Sequence, residues 1–117
     1  MNLLYVEDNP NTAAATKVML ELRGFRVETA GTVEESVQML SSNTYDLLVS
    51  DISLPDGTGH DILSRAPRPI PAIAVTGHTG EEDRAEASHS GFREYVTKPF
   101  KIDELIAAIH RATVTRA

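Results

Sequence analysis

The chain has 117 residues and a formal net charge of −6, with 17 acidic residues against 11 Lys and Arg and with no cysteine. This length suits one domain with a core of its own, and the missing cysteine excludes disulfides, thiolate metal sites and cysteine nucleophiles. The acidic balance argues against direct nucleic-acid binding, and no apolar run approaches the roughly 18 residues of a membrane span. We therefore expect a single domain at residues 1–117, without membrane insertion and located in the cytoplasm.

The first predicted elements are a strand and a helix. The apolar run Leu3–Val6 predicts a buried strand that ends at Glu7 and Asp8. Asn9-Pro10 is a typical helix start, and Gly24 is placed to end that helix. Four apolar residues recur between them at the spacing of one helical face, which we expect to pack on the core: Ala15, Val18, Met19 and Leu22.

The middle of the chain repeats this alternation. Residues 25–30 predict a second strand, polar enough to lie at a sheet edge, and the capping-box spacing after Thr32 predicts a second helix. Residues 46–50 predict a third strand that leads directly into Asp51. Pro55 and the glycines at 57 and 59 then predict a loop, followed by a short helix over 60–65.

Two further strands and two helices complete the pattern. Residues 70–75 predict the fourth strand, which runs into Thr76, and residues 81–90 predict a helix with few large apolar side chains. Residues 93–96 predict the fifth strand, followed by Lys98-Pro99. The last helix carries its apolar residues on one face: Ile102, Leu105, Ile106 and Ile109.

Five strands alternating with five helices predict an α/β fold with a doubly wound parallel sheet, because a barrel would need about twice the length. Ligands bind such sheets beyond the carboxyl ends of the strands. The residues there are Glu7, Asp8, Asp51, Thr76 and Lys98. Converging carboxylates favour a hard divalent cation such as Mg²⁺, and an aspartate beside that cation can accept a phosphoryl group. Asp51 is the candidate nucleophile, and Lys98 and Thr76 offer a cation and a hydroxyl to phosphate oxygens.

The motifs Glu7-Asp8, Asp51 to Pro55, Thr76-Gly77 and Lys98-Pro99 occur in the order found in receiver domains, and from Leu3 to about Thr113 the chain resembles the receiver domain of two-component response regulators. The resemblance implies a flavodoxin-like five-stranded sheet in the order 2-1-3-4-5. It also implies Mg²⁺ or Mn²⁺, held by Asp8, by Asp51, by the backbone carbonyl of Ser53 and, through water, by Glu7.

Further roles are implied by the same resemblance. Asp51 would accept a phosphoryl group from a histidine kinase or a histidine phosphotransfer protein, with Thr76 and Lys98 binding the transferred phosphate. Thr76 and Tyr95 would switch a surface formed by the helix at 81–90, the fifth strand and the last helix, through which the domain could also form a self-dimer. The Lys98-Pro99 bond is commonly cis in this family.

The chain departs from the family pattern after Asp51, where the segment to Thr76 is several residues short. We therefore expect a shortened third helix. His78 and Ser53 occupy variable positions beside the phosphorylation site. The run 54–59 resembles the receivers of hybrid sensor kinases, and no separate enzymatic or output segment is expected in this chain.

Three other functions compete with that of a receiver domain. A haloacid-dehalogenase-like phosphatase needs a second aspartate where Ser53 stands, and a flavodoxin-like binding module needs a phosphate loop where Glu7 and Asp8 stand. A degenerate receiver acting as a phosphorylation-independent interaction module is the third alternative, against which the complete set of strand-end residues argues.

Overall fold

The structure is a computed structural model that describes residues 1–77 and 91–114. In chain order the strands are β1 (Asn2–Val6), β2 (Arg26–Ala30), β3 (Leu47–Asp51), β4 (Ser53–Leu54), β5 (Gly57–Thr58), β6 (Ala72–Thr76) and β7 (Glu94–Thr97). The helices within the described residues are α1 (Pro10–Glu21), α2 (Val33–Ser42), α3 (Gly59–Arg65) and α4 (Ile102–Thr113).

Five of the strands form one parallel sheet in the spatial order β2-β1-β3-β6-β7, which confirms the predicted α/β fold and its strand order. The fourth and fifth predicted strands are β6 and β7. The strands β4 and β5 form a separate two-stranded antiparallel hairpin that the sequence analysis did not predict. The predicted helix at 81–90 and His78 lie outside the described residues.

Apolar layers cover both faces of the sheet. On one face α1 and α4 pack on alternate residues of the central strands, and on the other face the layer contains residues of α2 and α3. The strands β3 and β6 are buried along their full length, as expected for central strands of a parallel sheet. Functional side chains are therefore expected at the polar ends of the strands, because the middles of the strands form the core.

The predicted buried face of α1 is wrong. The helix begins as expected, since Asn9 Oδ1 accepts hydrogen bonds from the amides of Asn11 at 3.0 Å and Thr12 at 3.2 Å. It buries Ala13, Thr16 and Leu20, whereas Val18, Met19 and Leu22 are exposed. The face that packs on the core therefore includes Thr16, and the predicted apolar face is exposed to solvent.

The other helices follow the predictions more closely. Thr32 Oγ1 accepts a hydrogen bond from the amide of Glu35 at 3.0 Å and starts α2, although the Glu35 carboxylate returns to the amide of Gly31 rather than to Thr32. The third helix is short, with seven residues, as expected. In α4, Leu105 and Ile109 are buried on the predicted face. Within the described part of the chain, no helix has the length and apolar character to cross a membrane.

Candidate functional site

The carboxyl ends of four strands meet at one edge of the sheet and place the candidate residues there. Glu7 and Asp8 directly follow β1, Asp51 ends β3, Thr76 ends β6, and Lys98 follows β7. The register aligns these ends, because Asp51 pairs with Val75 and Thr76 pairs with Thr97. The backbone amide of Lys98 also donates to the carbonyl of Thr76 at 2.8 Å, which fixes the loop after β7 to the end of β6.

Lys98 lies between two buried carboxylates. Its Nζ donates to Glu7 Oε1 at 2.7 Å and lies 2.9 Å from Asp51 Oδ1 and 3.0 Å from Asp51 Oδ2. Glu7 is 4% exposed and Asp51 is 6% exposed, so both acids are largely removed from water. Lys98 is thus the counter-ion of the acidic pair. The Lys98-Pro99 bond that follows it is cis, as the resemblance implied.

The close packing of charges shifts the pKa values of all three groups. Burial and then the hydrogen bond with Glu7 raise the pKa of Asp51 from its ordinary value of 3.8 to about 7, against the opposing effect of Lys98. Burial opposes ionisation of Glu7, but hydrogen bonds from Asp51 and Lys98 lower its pKa. Burial likewise opposes ionisation of Lys98, but its hydrogen bonds to Glu7 and Asp51 raise its pKa to about 12. The acidic pair thus holds a proton more readily than isolated carboxylates do.

The acids also fit a divalent cation. Carboxylate oxygens of Glu7, Asp8 and Asp51 lie within 4.8 Å of one another. Glu7 Oε2 is buried without a hydrogen-bond partner, so this acceptor is unused. Asp8 is exposed to solvent, which leaves an open side for water ligands. A cluster of hard oxygen donors with an open side is the kind of site that Mg²⁺ or Mn²⁺ occupies. Ser53 lies two residues beyond Asp51, in β4.

The two predicted switch residues share one face of the sheet. Ala74 pairs with Tyr95, and Thr76 is two residues beyond Ala74, so the side chains of Thr76 and Tyr95 point to the same side. Thr76 is buried, whereas Tyr95 is 37% exposed on the edge strand. The structure therefore brings Glu7, Asp8, Asp51 and Lys98 into direct proximity, with Thr76 buried at the same edge of the sheet and Tyr95 exposed on β7. Their functional roles stay predictions.

One polar residue near the site was missed by the sequence analysis. Asp56 lies at the tip of the β4–β5 hairpin, in the segment 52–58 that we call the acceptor loop because it follows Asp51. Its Oδ1 accepts from the amide of Val33 at 2.8 Å and its Oδ2 from the amide of Glu34 at 3.0 Å, and these bonds lower its pKa. The Pro55-Asp56-Gly57 sequence signals a turn, but it gives no indication of a contact with α2.

Comparisons with known proteins agree with this geometry. The family model described as the response regulator receiver domain matches residues 3–110. The transcriptional regulatory protein KdpE of Mycobacterium tuberculosis is 34% identical over 116 residues, which cover 97% of this chain and 51% of that protein. The chain therefore spans about half the length of this relative.

Solved structures give the same result. The non-phosphorylated HemR receiver domain of Leptospira biflexa matches with a TM-score of 0.86 and 31% identity, covering 99% of this chain and 97% of that one. The receiver domain of sensor histidine kinase PA1611 of Pseudomonas aeruginosa, described with a magnesium ion coordinated in its active-site cleft, matches with a TM-score of 0.85 and 29% identity over 96% of both chains. The chain accordingly belongs to the response regulator receiver domain family.

Proposed function

We propose that Asp51 accepts a phosphoryl group, in a step that requires a divalent cation, from a phosphohistidine of a histidine kinase or a histidine phosphotransfer protein. The observation that carries this proposal is the cluster of three carboxylates within 4.8 Å, with Lys98 bonded to two of them. Burying like charges this close together destabilises the fold unless cations balance them. The cluster therefore offers ligands to a metal ion, and Asp51 within it offers an oxygen to a phosphoryl group.

In the proposed reaction, the phosphoryl group moves from the donor histidine to Asp51. A carboxylate oxygen of Asp51 forms the new phosphorus–oxygen bond, the phosphorus–nitrogen bond of the donor breaks, and its electron pair returns to the imidazole. The Asp51 carboxylate must be ionised to act, and burial together with Glu7 opposes its ionisation by raising its pKa to about 7. Lys98 lies within 3.0 Å of both Asp51 oxygens and is placed to follow the negative charge onto the transferred group.

Asp8, Asp51 and the carbonyl of Ser53 would hold Mg²⁺ or Mn²⁺, and Glu7 would contact it through water. When bound, the cation neutralises charge that develops on the phosphoryl oxygens. Glu7 supports this arrangement because one of its oxygens is occupied by Lys98 while the other is buried and unused. A water held by Glu7 Oε2 would satisfy that atom.

Phosphorylation of Asp51 would be communicated to a partner protein through the surface that includes Tyr95. Thr76 ends β6 at the site, and Tyr95 lies on the same side of the sheet at the exposed edge strand. Movement of the Thr76 hydroxyl toward a phosphoryl group would change the space available to the Tyr95 ring. The same edge, with α4 and the segment 81–90, is the surface predicted for self-association. We assign the domain no separate enzymatic activity and place it in the cytoplasm.

The exposed apolar side chains of α1 support a protein as the phosphodonor. Val18 is 54% exposed and Met19 is 41% exposed. The helix that carries them begins at Pro10, two residues after Asp8. Clustered exposed apolar side chains are typical of protein contact surfaces. A protein that brings a phosphohistidine to Asp51 comes within reach of this helix.

Intact-mass measurement tests the proposal. After incubation with acetyl phosphate and Mg²⁺, the wild-type chain is expected to gain the mass of one phosphoryl group, and EDTA is expected to prevent the gain. Asp51→Asn should abolish the gain, whereas Asp103→Asn, a matched change of an exposed aspartate on α4, should retain it. A folded wild-type chain that gains no mass contradicts the proposal and favours the interaction-module alternative. A gain that survives Asp51→Asn also contradicts the proposal, because the phosphoryl group is then on another residue.

A further inference from the structure

The acceptor loop is bonded to a helix that is distant in sequence. The two oxygens of Asp56 accept hydrogen bonds from consecutive amides, Val33 at 2.8 Å and Glu34 at 3.0 Å, at the start of α2. The amides of a first helical turn have no partners within the helix. In α2 the next amide, that of Glu35, is capped locally by Thr32 Oγ1 at 3.0 Å. The N-terminus of α2 is therefore capped from two sources, one within its own segment and one from the acceptor loop.

Close contacts hold the base of the acceptor loop, whereas Ser53, Pro55 and Asp56 are exposed. A Cβ atom at Gly57 would lie 2.6 Å from Asp61 Oδ2 and 3.3 Å from Val33 Cγ2, so the hairpin lies against both α3 and α2. A Cβ atom at Gly59 would lie 2.7 Å from the carbonyl oxygen of Asp51. The amide of Gly59 also donates to the carbonyl of Ile52 at 2.9 Å. The base of the loop is thus fixed at the end of β3, and its tip is fixed by Asp56.

Ser53 lies between these two fixed points. It pairs with Thr58 across the hairpin, and its neighbour Leu54 pairs with Gly57, one residue from Asp56. Rotation of the hairpin about its base would swing the backbone at Ser53. A ligand or reacting group must be held closely in its productive geometry by the residues behind it, and such supporting residues affect metal affinity. The tip contact is therefore one of two restraints on the part of the loop that carries the backbone carbonyl proposed for the cation.

We propose that Asp56 is a positioning residue, which orients the Ser53 carbonyl toward the cation by bonding the acceptor loop to the first turn of α2. This inference rests on the proposed function, because it assumes a cation beside Asp51. Asp56 itself does not touch the cation or the phosphoryl group. Its effect passes through the hairpin, and α2 is thereby coupled to the site through the same two hydrogen bonds.

The chain offers a matched control for the experiment. Asp56→Ala and Thr32→Ala each remove a cap from the same helix terminus, but Asp56 alone of the two belongs to the acceptor loop. Asp56→Asn retains an oxygen acceptor without the charge. Each full-length variant is titrated with Mg²⁺ by calorimetry, and its thermal unfolding is measured by circular dichroism. Hydrogen exchange of the Val33 and Glu34 amides reports whether the two bonds have been lost.

Asp56→Ala is expected to weaken Mg²⁺ binding about tenfold, with faster exchange at Val33 and Glu34, and Asp56→Asn is expected to weaken binding less. Thr32→Ala is expected to bind Mg²⁺ like the wild type, even though it lowers the unfolding temperature. Wild-type affinity in Asp56→Ala, or an equal loss in Thr32→Ala, would overturn the inference. A wild-type chain that does not bind Mg²⁺ would instead overturn the cation site of the proposed function, whatever the exchange data show.

Discussion

Replacing Lys98 with methionine isolates the role of its charge in the metal-free fold. Methionine keeps an unbranched apolar stem, while the ammonium that lies 2.7 Å from Glu7 and 2.9 Å from Asp51 is lost. Removing one partner of a buried ion pair costs about 3–5 kcal/mol of unfolding free energy, because the other charge remains uncompensated. The Lys98 side chain is 31% exposed, and the acids can take up a proton, so we expect a loss of about 2–3 kcal/mol at pH 8.

The loss should depend on pH in a defined direction. The pKa of Asp51 is raised from 3.8 to about 7 in the folded state, so the folded state binds a proton that the unfolded chain has already released. Protonation therefore stabilises the fold, and this stabilisation is lost as the pH rises through about 7. Lys98 lowers the pKa of Asp51, so its removal raises that pKa further. The variant is expected to lose less stability at pH 6 than at pH 8.

Urea unfolding in EDTA at pH 6 and pH 8 measures both effects. Lys101→Met provides the control, because Lys101 is an exposed lysine at the start of α4, and it should unfold like the wild type at both pH values. Saturating Mg²⁺ should narrow the gap between Lys98→Met and the wild type, since a cation then balances the acids. A Lys98→Met chain as stable as the wild type at pH 8 in EDTA would refute the counter-ion role assigned to Lys98.

Three further predictions concern stability. Because the pKa of Asp51 is about 7, metal-free wild-type protein should lose about 1.4 kcal/mol of unfolding free energy between pH 6 and pH 8, and Mg²⁺ should flatten this slope in urea titrations. Leu20→Ala should cost about 3 kcal/mol because Leu20 is fully buried, whereas Leu22→Ala should change the unfolding free energy by no more than about 0.5 kcal/mol; equal losses would contradict the assigned face of α1. Gly59→Ala should cost about 2 kcal/mol in chemical denaturation, because its Cβ would lie 2.7 Å from the Asp51 carbonyl, while Gly31→Ala, with no atom nearer than 3.8 Å, should show no comparable loss from crowding.

The sequence predicts the sheet and the site residues well because both follow from local chemistry. Apolar runs of five or six residues are typical of central parallel strands, and the polar residues that end them must meet at one edge. Glu7, Asp8 and Asp51 are close in the structure because β1 and β3 are also neighbours in the sheet, an order that the family resemblance implied. The short third helix also follows from local chemistry, since Thr58 caps α3 and the segment after it is brief.

The sequence does not determine which face of α1 is buried. Periodicity predicts a helix, but α1 has apolar residues around much of its circumference, and the choice between faces depends on the neighbours against which it packs. The selected face contains Thr16, which the pattern alone ranks below Val18 and Leu22. Tertiary packing therefore overrides the apolar stripe, as it often does where a helix also presents apolar residues to solvent.

The role of Lys98 shows a second limit of sequence reasoning. Its position after β7 predicts a phosphate contact, whereas in the structure its ammonium is bonded to Glu7 and Asp51. Without a cation or a phosphoryl group, Lys98 is the available positive charge beside the acidic pair, and Coulomb attraction draws it there. A sequence motif records the residues that a site needs, but not which of them are paired in a given state.

The acidic pair also explains how ligand binding can affect the rest of the fold. Glu7 and Asp51 are buried beside one lysine, and burial together with Glu7 raises the pKa of Asp51 to about 7. A proton on Asp51, the Lys98 ammonium and the proposed metal ion would each balance the same negative charge. Any ligand that frees Lys98 from this task allows it to contact a phosphoryl group instead. The acceptor loop adds a second connection, because Asp56 bonds the segment after Asp51 to α2. On the two proposals above, a change of charge at the site would reach β7 through Lys98 and α2 through the acceptor loop.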